Sequence, residues 1–150
     1  MIHDEGLAAW LRLTLIPGIG GETQRKLLAA FGVPEAVFAA GRLAARGVIG
    51  DRADLLFEFA PSAAVDRSLA WARQPGQRLL TLADAAYPPL LLETPDPPSI
   101  LYVRGNFGLL QKPGIAIVGS RTPTPHGMQT AETCARALAV QRPGIASGPP

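Results

Sequence analysis

The residues in this sequence best equipped for chemistry are Gly119, Ser120 and Arg121, which follow the apolar run 115–118 and precede a segment with helical periodicity. Glycine lets the backbone approach a ligand closely, serine offers a hydroxyl, and arginine offers a forked cation. The free amides at the start of the helix behind them would add a fixed positive end. That combination suits a phosphate. Ser147 and Gly148, at the end of the next apolar run, would bring a second hydroxyl and a second close-approach backbone to the same crevice. The turn has neither the G-x-G-x-x-G spacing of a dinucleotide site nor the Gly-Lys-Ser/Thr ending of a Walker A loop, which weakens both of those readings. Tight-turn chemistry without any ligand accounts for the same residue types, and both readings stand at this stage.

A second candidate phosphate contact lies near the N-terminus. Pro17-Gly18-Ile19-Gly20 separates two amphipathic segments and matches the hairpin of a helix-hairpin-helix element. The amides exposed by Gly18 and Gly20 could cap a DNA phosphate, with Arg25 and Lys26 one turn further on. A hairpin that joins helices in a bundle, or meets another protein, fits equally well. Trp10 and Trp71 fall in core spacing, which favours burial over stacking on bases. Cys134 reads as a core thiol and His126 as a solvated first-turn residue.

Catalytic machinery is not visible. No Ser/His/Asp, Cys/His or paired-carboxylate set can be assembled. With one cysteine and only His3 and His126, the sequence offers no metal site, no internal disulfide and no sign of a cofactor. The formal charge of +2 permits nucleic-acid binding without demanding it. Asp4 and Glu5 stand where a signal peptide needs positive charge, and no stretch of about 18 uninterrupted apolar residues follows. The expectation is a soluble, cytoplasmic protein with no membrane partner.

The elements that must position these residues follow from apolar periodicity. Leu7, Trp10, Leu11, Thr14 and Leu15 form one stripe of an opening helix. A second helix from Thr23 turns Leu27, Leu28 and Phe31 inward and ends at Gly32, a C′ glycine. Pro34 opens a third, with Val37 and Phe38 on its apolar face and Gly41 closing it. Ser62 is expected to N-cap another, running to Arg73 through Val65, Leu69 and Ala72. After the Pro75-Gly76 turn come three short runs, 79–82, 100–103 and 115–118, which read as strands. The proline-rich stretch between the first two reads as ordered loop without helix. Thr124 then caps a helix with Pro125 at its first position and Met128, Ala131, Ala135 and Leu138 as its stripe, leading to a parallel strand at 145–147. The expected class is α/β. Residues 1–74 form a helical module, helix-hairpin-helix or SAM-like, and 75–150 begin an incomplete Rossmann-like parallel sheet.

One run of residues goes further than periodicity. Asp84, Tyr87-Pro88, Leu90, Asp96-Pro97-Pro98, Leu101-Tyr102-Val103-Arg104-Gly105 and Ile115-Ala116-Ile117-Val118-Gly119-Ser120-Arg121, continued by Pro123-Thr124, Gly127 and Ala131, resemble the DNA-processing protein A family (DprA, or Smf) in order and spacing. The resemblance implies a Rossmann-like domain that binds single-stranded DNA from the pocket beginning at Gly119-Ser120-Arg121. It also implies loading of the RecA recombinase in natural transformation, self-association as a homodimer in full-length members, and no catalytic step. At the end, Gly144-Ile145-Ala146-Ser147-Gly148 opens the expected second strand motif, but Pro149-Pro150 stands where the family continues Leu-Ala and Gly-Ile-Asp. That departure suggests a truncated or frameshifted product. A nucleotide- or nucleoside-phosphate-binding enzyme on a related Rossmann-like fold is the competing function, by fold analogy alone. A helical interaction module fused to a nonfunctional remnant is a third.

Overall fold

The computed structural model describes residues 4–140 and 144–148; His3 and Pro149-Pro150 lie outside them. The chain divides into two compact units, one ending at Asn106 and one beginning at Phe107.

The first unit opens with α1 (Asp4–Leu15) and α2 (Gly21–Phe31), joined by the Pro17-Gly18 turn. The stripe read from sequence on α1 is present: Trp10 and Leu11 are buried, with Leu7 and Leu15 packed beside them. A second apolar face on the same end of the chain, Leu13 and Ile16, serves a different core. α1 is therefore covered on two sides, one by helices and one by a β-ribbon.

α2 ends at Gly32, whose φ of 86° and amide bond to the Leu28 carbonyl fulfil the expected left-handed stop. α3 (Pro34–Ile49) begins on its proline and is broken at Gly41, where φ is 82° and ψ 173°. Gly41 closes the first segment as expected, but helix resumes after it and carries Ala45 into the core, a segment the sequence reading did not anticipate. A 3-10 turn (Gly50–Arg52) and α4 (Ala53–Glu58) follow, also unanticipated. Ala45, Ala53 and Leu56 complete the helical core with Leu13, Ile16, Ile19, Leu27 and Val37. α5 (Ser62–Ala72) starts one residue earlier than its expected cap would allow. Pro61 occupies the N-cap position, Ser62 is the first helical residue, and no side chain caps the helix.

β1 (Gln77–Thr81) and β2 (Ile100–Arg104) pair antiparallel, with Leu79 opposite Tyr102 and Thr81 opposite Ile100. They do not join the later strands in one parallel sheet. Leu79 and Ile100 pack instead with Trp10, Leu11 and Val65, so the helices supply the apolar cover that this two-stranded ribbon needs. The observed division after Asn106 consequently differs from the expected boundary at 74, because the ribbon shares its core with α1 and α5.

The linking stretch contains a short helix, α6 (Pro89–Leu92), where only loop was expected. Pro89 sits at the first helical position, where its fixed φ and missing amide cost nothing. The rest is fastened by its own motif residues. The Asp84 carboxylate accepts bonds from the Thr81 amide at 2.8 Å and hydroxyl at 3.0 Å. The buried Tyr87 donates its hydroxyl to the Pro98 carbonyl at 2.7 Å. Arg25 pairs with Asp96 and donates to the Pro95 and Pro97 carbonyls.

In the second unit a 3-10 segment (Phe107–Gln111) precedes β3 (Gly114–Ala116), α7 (Pro125–Ala139) and β4 (Gly144–Ala146). β3 and β4 pair in parallel, Ala116 opposite Ala146, with the Ile117 amide extending the ladder to the Ala146 carbonyl at 2.8 Å. Strand, helix and parallel strand appear as the sequence implied. The expected burial does not: none of the described residues of this unit is buried, and Ile115, Val118 and Ile145 are exposed. Two three-residue strands and one helix cannot enclose a core of their own. Ala131, Ala135 and Leu138 are half-buried, whereas Met128 is exposed. Cys134, expected as a core thiol, is exposed too.

Candidate nucleic-acid interface

Parallel pairing places the carboxyl ends of β3 and β4 side by side, which is where open α/β sheets hold their ligands. Val118-Gly119-Ser120-Arg121 leaves one strand end and Ser147-Gly148 leaves the other, directly past the Ala116–Ala146 pair in the latter case. The topology thus brings the two groups of site residues to one end of one ladder.

Gly119 is informative about its own purpose. Its φ is not among the positive values that favour glycine, and a Cβ added there would meet nothing within 4 Å. Neither backbone conformation nor packing in this unit requires glycine at the position. Gly148 is alike on both counts. Turn geometry and packing within the unit therefore leave both positions open to close approach by a ligand, a property that Gly20 and Gly47 share.

The Ser120 Oγ accepts the Thr122 amide at 3.2 Å, which fixes the turn and leaves the hydroxyl hydrogen to donate outward. Ser147 spends its hydroxyl on the Gly148 carbonyl, at 3.3 Å. Arg121 is exposed and enters no ion pair among the described residues. It is a free forked donor beside the open glycine.

The helix behind the turn contributes less than its position suggests. Thr124 caps α7 as expected, its Oγ1 accepting the Gly127 amide at 3.1 Å. Pro125 has no amide hydrogen, and the Met128 amide is bonded to the Thr124 carbonyl at 3.0 Å. Of the first four positions only His126 keeps an unused amide among the described residues. The expectation of several free helix amides is corrected: one amide and the helix dipole remain, and the turn itself holds most of the donors. The capping residues Thr124 and Pro125 carried that signal in the sequence.

The N-terminal hairpin offers a poorer site. Gly18 has a φ of 84°, and a Cβ there would lie 3.0 Å from Leu55 Cδ1, so turn geometry and packing both call for glycine. Ile19 is buried, its amide bonds to the Ile16 carbonyl, and its carbonyl accepts the Gln24 side chain at 2.8 Å. Gly20 faces open space, but the Asp96 carboxylate lies against Gly21 at the start of α2 and pairs with Arg25. An incoming phosphate would meet a resident anion there. Trp10 is buried as expected, and Trp71 is only half-buried.

Comparison with known proteins identifies the family. The family model described as DNA recombination-mediator protein A matches residues 78–149. The protein Smf of Escherichia coli (strain K12) is 30% identical over 139 residues, covering 93% of this chain and 37% of that protein. The protein Smf of a Synechocystis species is 30% identical over 157 residues, covering 94% and 37%. The DNA processing protein DprA of Bacillus subtilis is 36% identical over 88 residues, covering 55% of this chain and 29% of that one. The chain spans little more than a third of the Smf relatives it matches along nearly its whole length, and it belongs to the DNA-processing protein A (DprA/Smf) family.

Proposed function

We propose that this chain carries the phosphate-gripping corner of a recombination mediator: it binds single-stranded DNA without sequence preference, and the whole protein delivers that strand to the RecA recombinase in natural transformation. The observation that carries the reading is the pair Gly119 and Arg121. The glycine is required by nothing described in its unit, and the arginine pairs with no carboxylate among the described residues. Ser120 adds a hydroxyl donor held in place by the Thr122 amide. The family model and the printed names of the relatives, which speak of recombination mediation and DNA processing, support the same substrate class. Binding is by charge and hydrogen bonds to the backbone, with no bond made or broken in the DNA.

Salt titration tests it. If Arg121 neutralises one phosphate, Arg121→Ala lowers the slope of log affinity against log salt by about 0.7 for a single strand. An oligothymidylate titrated by fluorescence anisotropy at several salt concentrations reads that slope, and an unchanged slope removes Arg121 from the site. Competition by mononucleotides as strong, per phosphate, as by the oligonucleotide would instead favour a nucleotide-binding enzyme.

A further inference from the structure

The first unit carries an aromatic pair of which one ring, Trp71, packs on the core while the other, Tyr102, stays exposed. Trp71 on α5 and Tyr102 on β2 lie with ring centroids 5.2 Å apart and planes tilted by 59°. Tyr102 is 49% exposed. Its cross-strand partner Leu79 is buried in the core, so the ring stands at the rim of that core with one side open to solvent. It is also held in place. The Tyr102 hydroxyl donates to Ser68 Oγ at 2.8 Å, and Ser68 in turn donates to the Ala64 carbonyl at 2.9 Å.

Two unpaired cations bracket the rings. Arg67 lies four residues before Trp71 on α5, and therefore on the same helix face. Arg104 lies two residues past Tyr102 on β2, and therefore on the same sheet face. Both are exposed, and neither enters an ion pair among the described residues. The nearest acidic residue in sequence, Asp66, lines a cavity with Ala8, Arg12 and Val65 on the side of α5 that meets α1.

We propose that Tyr102, backed by Trp71, is a stacking platform for one base of a single strand, with Arg67 and Arg104 contacting the flanking phosphates. This inference rests on the single-strand reading of the Gly119 corner and adds a second, independent contact on the other unit. A ring fixed by its own hydroxyl, open on one side and sharing its faces with unpaired guanidinium groups, has the parts of a sequence-tolerant single-strand contact: a flat π surface for any base, and cations for its backbone. The apolar rim alone would also suit a protein partner, but the two uncompensated charges select a polyanion.

The test uses the full chain and an oligothymidylate carrying 5-iodouracil. Ultraviolet cross-linking followed by peptide mapping should place the adduct on Tyr102 or Trp71. Tyr102→Leu should weaken binding about 5- to 100-fold, the range for loss of one stacked base. Tyr102→Phe, which keeps the ring, should stay within about twofold of the parent chain's affinity. Arg67→Ala and Arg104→Ala should each lower the salt slope by about 0.7. If Tyr102→Leu fails to fold, as judged by its melt, the cross-link and the arginine slopes decide. Adducts confined to residues 107–150, with both slopes unchanged, overturn the platform. Should Arg121→Ala still flatten the slope in that case, the Gly119 corner stands alone; a parent chain that binds no oligonucleotide overturns both.

Discussion

Cutting the chain after Gln74 should destroy the first unit, while cutting it after Asn106 should spare it. The two cuts differ only in the ribbon and its linking loop, and the structure says what that difference is worth. Leu79, Leu80 and Ile100 are 5%, 0% and 7% exposed, and each side chain buried to that extent contributes roughly 1.5–3 kcal/mol. Together they supply about 5–9 kcal/mol, comparable with the roughly 5–15 kcal/mol that holds an ordinary domain together. Their loss also strips Leu79 and Ile100 from the cluster that buries Trp10, Leu11 and Val65, leaving those three only their helical neighbours. Residues 1–106 should therefore melt in one cooperative transition and keep the blue-shifted emission of a buried Trp10. Residues 1–74 should melt broadly or not at all, with red-shifted emission. Circular dichroism and tryptophan fluorescence of the two fragments read both quantities. A cooperative melt of 1–74 within a few degrees of 1–106 would refute the shared core and restore the boundary at 74.

Gly119→Val should leave the melt and helix content of the chain unchanged, because a Cβ there meets nothing within 4 Å, yet it should weaken oligonucleotide binding measured by anisotropy. Gly18→Ala should destabilise by about 1–2 kcal/mol from the left-handed backbone alone, before the crowding against Leu55, read as a lowered denaturant midpoint. Burial raises the Tyr87 hydroxyl above its ordinary 10.0. Its contribution to stability should thus be complete below pH 10 and fade as pH climbs through the raised value, a fade that alkaline melts of Tyr87→Phe should lack. The Asp54 carboxyl is held below its ordinary value chiefly by its bond to Arg46, so whatever that pair contributes should be lost as pH falls through the carboxylate range and be absent in Asp54→Asn.

Local rules were the part of this fold most legible in sequence. Gly32 as a helix stop and Thr124 with Pro125 as a helix start depend on neighbours a few residues away, and they occur as their types require. What sequence left hidden depends on distant partners. Nothing local says that α1 has two covers, because Leu13 and Ile16 fall outside the stripe of Trp10 and Leu11 and find their own core among α2, α3 and α4. The helix between β3 and β4 made their parallel pairing legible, but the antiparallel pairing of β1 with β2 was not, since a short apolar run alone carries no mark of its partner. Helix after Gly41 was missed for the same reason: a glycine with positive φ can end a helix or merely redirect it.

The candidate site shows the same division between residue type and geometry. Thr124 and Pro125 make α7 a well-started helix, and in doing so they consume the Gly127 amide and remove another. A helix end so well satisfied is a weak anion trap, whatever its dipole. The phosphate grip proposed above therefore rests on groups that the helix does not claim: the backbone at Gly119, the outward hydrogen of Ser120 and the guanidinium of Arg121. On that proposal such contacts would reach backbone oxygens and be indifferent to the base attached, as sequence-tolerant binding requires.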